Sequence, residues 1–413
     1  MHIRGSRTAS AGRGGELFCC WVAVHLWLGR LPEGVLVPNK QAVTETEPGS
    51  PAGAAARSTR PDAPADTSPP AKPARREHRV DIDLMRLICS CAVMLGHVGA
   101  TFIRAVDRQE ENGAGAYWVG HIADSANEFA VPMYFAMAGW AVLAGAPPRD
   151  GRAARQRLVR NGLPLLAWTA IYLLWAWLRS RNDEPMTELA FTSLFGSVQP
   201  AYHLWFMYVY LPLVAVLAFV VLLRAGQRPW LLGALLAAVA VAPAAMETAE
   251  KVTGWDGPPV SWGFGTYSLV YAVLGALLFA LPRGVPDRYR WLLVPGCLAA
   301  FAGCLWYNTQ VHYVIPNAHL FVAALTGSML LLVHRVRVPE RFRPRVSQLA
   351  GAALGAYMVH VIVVEELVVP RVSADLGAPA AAVLLPVLWL TTIVLSYAAS
   401  LLWGRLGLRK LLG

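Results

Sequence analysis

Charge is scarce in this sequence: Asp, Glu, Lys and Arg supply only 15% of its 413 residues, against 56% apolar and aromatic residues. So little charge cannot clothe a water-facing globule of this size, and the mean hydropathy of +0.43 exceeds what one soluble core would hide. Lipid is therefore part of the solvent. Cysteine is equally uninformative as a framework. Cys19 and Cys20 are adjacent, Cys89 and Cys91 lie two apart, and Cys297 and Cys304 share one apolar run. No disulfide or metal spacing results, so the thiols read as buried and reduced, and no metal is expected. Internal repetition is missing too, which weighs against a transporter built from paired halves.

The net charge of +10 raises nucleic acid as a partner. The arginines, however, fall in short clusters between apolar stretches, the pattern of membrane loops, and nucleic-acid binding is set aside.

Two regions differ sharply. Residues 1–78 are rich in Ala, Pro, Gly, Ser and Arg, as in PGSPAGAAARSTRPDAPADTSPPAKPARR. Such a segment buries too little apolar surface to offset its ordering entropy and reads as a disordered tail. Within it, LFCCWVAVHLWL (17–28) follows Arg4, Arg7 and Arg13 like a signal-peptide core, but no small-x-small cleavage site follows closely. Residues 79–413 form the second region, an all-α domain of about ten transmembrane helices. Spans are expected near 84–104, 127–145, 158–178, 204–223, 229–245, 266–282, 290–307, 317–334, 349–369 and 379–403, the fifth and sixth being short. Seventeen Lys and Arg lie in one set of alternating loops and six in the other. The positive-inside rule makes the first set cytoplasmic, with both termini inside, as expected for a multi-pass protein of the plasma membrane.

An ionisable residue at membrane depth costs roughly 2.5–3.5 kcal/mol on insertion scales, so each marks a candidate site. The first span holds Arg86 near its cytoplasmic start and His97 well inside. Eleven residues make three turns and about 20°, placing both on one helix face about 16 Å apart. That separation is comparable to a pantetheine arm, whose thioester lies far from its anionic nucleotide end. The bland alternative is a snorkelling arginine and a histidine satisfied by a neighbouring helix.

The segment DIDLMRLICSCAVMLGH resembles the opening helix of the acyltransferase-3 family, with its Arg, ten residues, then His; Asp83, Arg86 and His97 fit that pattern. VPMYFAMAGW (131–140) resembles the family's second-helix segment, with Ala138 where Ser is usual. RLVRNGLPLLAW (157–168) resembles its Arg-x-x-Arg element, YHLWFMYVYLPLV (202–214) its His-Leu-Trp-Phe segment, and GAYMVH (355–360) its late Tyr-x-x-His. The resemblance spans about 80–413. It implies a membrane-bound O-acyltransferase that moves an acyl group, most often acetyl, from cytoplasmic acyl-CoA to a hydroxyl of a carbohydrate or other envelope or secreted acceptor. It also implies His97 as catalytic base or acyl carrier, Arg86 as donor-binding or structural, and Arg157 and Arg160 as partners for the CoA phosphates, with Asp83 pairing with an arginine at the mouth.

The chemistry suits those residue types. A sugar hydroxyl is a poor nucleophile, and a histidine within hydrogen-bond reach takes its proton as it attacks a thioester; a covalent acyl-histidine is the other route. Arg157 and Arg160, three apart, share a helix face and suit bidentate grip of a phosphate, though any basic loop also serves as a topology signal. Tyr357 is a candidate oxyanion donor. His360, one turn from Tyr357, is a second site candidate against a structural interhelix bond. Tyr202, His203 and Trp205 open the fourth span where an aromatic belt is expected anyway, yet aromatic rings also stack on sugars. Glu128 is a further acceptor-side candidate, as are Glu365 and Glu366, while His121, His312 and His319 read as structural or solvated. A permease of a small polar or glycolipid substrate, and a non-catalytic scaffold, are the rival classes.

Overall fold

The computed structural model describes residues 78–105, 115–180, 184–255, 257–313, 318–373 and 375–413. The tail expected at 1–78 lies outside them except for its last residue. Val80–Gly413 forms one compact helical unit, and no strand occurs among the described residues.

Its helices run in chain order α1 (Val80–Arg104), α2 (Gly115–Asn127), α3 (Ala130–Trp140), α4 (Gly151–Arg179), α5 (Met186–Thr192), α6 (Trp205–Arg224) and α7 (Trp230–Thr253). They continue with α8 (Thr266–Ala280), α9 (Asp287–Arg290), α10 (Leu293–Gln310), α11 (Leu320–Val333), α12 (Arg343–Val363), α13 (Ala378–Arg405) and α14 (Arg409–Leu412). Among the described residues, eight helical stretches are long and apolar enough to cross a bilayer. Two shorter apolar helices, α8 and α11, stand where the sixth and eighth spans are expected. The expected fifth span ends too early: its helix continues to Thr253, where Gly254 at φ 71° closes it in the left-handed region.

The second span is the larger surprise. It extends back from 127 to Gly115, as α2 and α3 in near-continuity followed by a π turn at Ala141–Gly145. Polar residues in HIADSANE mask this segment to a hydropathy reading, but in the fold they face neighbouring helices; His121 is buried against Tyr117 and Tyr313.

Lipid offers no hydrophobic push between helices, so close packing must hold them. A Cβ on Gly139 would overlap the backbone of Ala272, and one on Gly275 the backbone of Ala136, so α3 and α8 touch backbone to backbone. Gly99 and Gly120 do the same for α1 and α2. Ser400 donates to the Ala352 carbonyl at 2.8 Å, tying α13 to α12. Depth follows from these contacts. The spans containing α1, α2–α3, α6 and α12 are about half buried, whereas α7 has no buried residue and lies at the periphery.

Candidate active site

The inner helices enclose a cavity of about 810 Å³. Arg86, Arg157, Arg160, Arg409 and Lys410 line one part of it, and His97, Tyr357, His203, Asp124 and Asn127 line others. The same cavity thus joins the two first-span residues. A helix rise of 1.5 Å per residue separates them by about 16 Å along α1.

At the basic end, each arginine is held differently. The Arg86 guanidinium lies 3.3 Å from Asp83, whose other oxygen accepts from Ser347 at 2.8 Å. Tyr134 donates to the Arg86 carbonyl at 3.2 Å. Arg157 donates to the carbonyls of Ala141 and Ala146, at 3.3 and 2.5 Å; the Ala141 oxygen also accepts the Ala146 amide that closes the π turn. Arg160 is exposed and makes no hydrogen bond or ion pair among the described residues. Asp150 caps α4 by accepting from the Ala153 amide at 2.7 Å, which fixes where the Arg157–Arg160 turn begins.

Deeper in, α1, α12 and the 3-10 turn Tyr202–Leu204 that opens α6 bring three histidines together. The His97 ring centroid lies 4.8 Å from His360 and 6.4 Å from His203, and His203 lies 5.2 Å from His360. His203 and His360 are buried, while His97 keeps partial access through the cavity. Tyr202 stands 5.6 Å from His97. The Tyr357 hydroxyl donates to the His203 carbonyl at 2.5 Å, and Tyr172 donates to the Met358 carbonyl at 2.8 Å, so α12 is braced at this level from the turn ahead of α6 and from α4. Trp205 lines the cavity beside them. His97 thus presents a partly accessible ring to the cavity, with the His360 and His203 rings beside it.

The comparison with protein families decides what this arrangement belongs to: an acyltransferase domain matches residues 79–404. The chain is a member of the acyltransferase-3 family. No curated protein and no solved structure matches it. It is thus a membrane acyltransferase by family and by its apolar helices.

Not every candidate converges. Glu128 is not among the described residues lining the cavity. It accepts from Asn308 and stands 3.8 Å from His319, with Cys304 close by. Ligand atoms of Glu128, Cys304 and His319 lie within 4.8 Å of one another, the one trio of metal-capable side chains among the described residues. Glu366 pairs with Arg179 and accepts from Trp175 at 3.0 Å, joining the π turn Val364–Val368 that follows α12 to α4, away from the histidines.

Conversely, the cavity recruits residues that sequence reading passed over. Asp124 lies just ahead of the expected second span and Asn127 at its first residue, and the signal that could have found them is two polar residues three apart at a span boundary. Asn127 packs over Gly96, next to His97, and its amide donates to Asp124. Outside the spans, burial and the adjacent Asp124 carboxylate hold the Tyr313 phenol above its usual range. Arg409 and Lys410, counted only as topology markers, come from the far end of the chain to the basic mouth.

Proposed function

We propose that the protein is an integral-membrane O-acyltransferase that moves an acyl group, acetyl by preference, from acyl-CoA to a hydroxyl of a carbohydrate or similar envelope or secreted acceptor. One observation carries the reading: a single cavity joins a cluster of five basic side chains to the partly accessible His97. In this reading the Arg-rich loops face the cytoplasm, in the plasma membrane, and the donor enters between them.

Arg160, Arg86, Arg409 and Lys410 hold the anionic nucleotide end of the donor through charge-assisted bonds. The pantetheine arm then runs along α1 toward His97. His97 takes the acceptor hydroxyl proton as its oxygen bonds to the thioester carbon; the carbon–sulfur bond breaks, and the proton passes to the departing thiolate. Asp124 and Asn127 offer an acceptor-side pairing of carboxylate and amide, which suits the hydroxyls of a sugar. Trp205, His203, Tyr357 and His360 shape the same region.

The test supplies acyl-labelled CoA to membranes containing wild type or His97→Ala. The expected result is labelled acceptor with wild type and none with the variant, at equal membrane abundance. Undiminished labelling by His97→Ala would overturn the assignment, and acceptor movement without acyl transfer would favour a permease.

A further inference from the structure

His360 stands out because it is fully buried, lies outside the cavity lining, and yet has its ring 4.8 Å from His97. Its Nδ1 sits 2.5 Å from the carbonyl oxygen of Tyr357, one turn earlier on α12. A carbonyl oxygen only accepts, so the hydrogen resides on Nδ1, and the neutral ring presents a lone pair at Nε2. That Nε2 is buried and has no hydrogen-bond partner. An unmatched buried acceptor is costly, and the aromatic rings whose centroids lie nearest the His360 ring are those of His97, at 4.8 Å, and His203, at 5.2 Å.

We propose that His360 is a positioning residue that fixes the tautomer of His97 for the reaction proposed above. The two rings are not bonded in this structure; in the proposed arrangement they turn toward one another across the 4.8 Å between their centroids, so that the inward-facing His97 N–H donates to His360 Nε2. The other His97 nitrogen then carries its lone pair toward the cavity, where the acceptor hydroxyl must lose its proton. When His97 takes that proton, the imidazolium keeps its inward N–H against the His360 lone pair. Hydrolases give this task to a carboxylate. Inside a bilayer a buried carboxylate carries a large desolvation penalty, whereas a neutral imidazole performs the same orientation without net charge.

The backbone explains why the tautomer is held. The Tyr357 carbonyl that receives the His360 proton belongs to a residue whose hydroxyl is anchored to the His203 carbonyl at 2.5 Å. The next residue's carbonyl accepts from Tyr172 on α4 at 2.8 Å. His360 is thus keyed to a turn of α12 braced from α4 and from the turn that opens α6.

The experiment compares His360→Leu, which keeps bulk but removes the acceptor, with His360→Gln, whose amide oxygen accepts from His97. Two readouts are taken on the full-length protein in detergent or membranes: acyl transfer from labelled acyl-CoA, and the rate at which diethyl pyrocarbonate modifies His97, followed by peptide mass spectrometry. His360→Leu is expected to lower kcat roughly 100-fold with donor KM unchanged, and to slow His97 modification. His360→Gln is expected to recover most of both. Equal defects in the Leu and Gln variants, or a defect confined to KM, would overturn the proposal. So would His97 modification at the wild-type rate in His360→Leu. Because the chemical modification does not need the transferase reaction, it judges this role even if the proposed acceptor or donor is wrong.

Discussion

Arg157 and Arg160 lie three residues apart on α4 and line the same cavity, but only Arg157 is committed to the protein's own backbone, capping the Ala141 and Ala146 carbonyls. The motif that looks like one phosphate clamp therefore divides into a structural half and, under the proposed function, a donor-binding half.

Arg160→Ala should raise the donor KM about tenfold, the scale of one lost charge-assisted bond, without changing thermal stability. The rise should shrink at high ionic strength, because the side chain is exposed and its field is screened. Kinetics at two salt concentrations check this; a KM insensitive to the substitution would remove Arg160 from the donor site.

Arg157→Ala should behave oppositely, destabilising the fold by about 1–3 kcal/mol, since the Ala146 carbonyl loses its donor and the Ala141 carbonyl keeps only the Ala146 amide. Thermal unfolding in detergent is the measurement. Arg157→Lys should recover little, since a single ammonium cannot reproduce the guanidinium's two-pronged donation.

Arg86→Ala should produce a loss of transfer that grows as acyl-CoA is diluted. Asp83→Asn should weaken donor binding less, because it loosens the orientation of Arg86 while leaving its charge in place. A defect in Arg86→Ala that is independent of donor concentration would assign Arg86 to the fold instead.

Asp124→Asn and Asn127→Ala should depress labelling of the acceptor while leaving acyl-CoA affinity intact, since both residues line the cavity on the side of α2. Titration of labelled CoA binding alongside the transfer assay separates the two effects. Reduced CoA affinity in both variants would place the donor, rather than the acceptor, against them.

Gly139→Leu should destabilise the protein by about 3 kcal/mol, as the side chain must displace the Ala272 backbone. Abundance of folded protein after detergent extraction reads this directly.

By itself the sequence determined the membrane setting, the helical class and the α1 spacing that places Arg86 and His97 on one face, because hydropathy and a 100° helical period are local properties. It also carried the family, through short segments whose residue types survive in order. Only the tertiary structure decided which polar residues meet. His203, read as part of an aromatic belt, and His360, one of several intramembrane candidates, come from segments far apart in the chain and are brought to His97 by the turn that opens α6 and by packing of α12 against α1. The inward extension of α2 was illegible because polar residues lower its hydropathy, and their satisfaction depends on partners such as Asn308 and Tyr313 from distant segments. The same reason separates Glu128 from the cavity: its side chain is oriented by Asn308 and His319, contacts that no local pattern encodes.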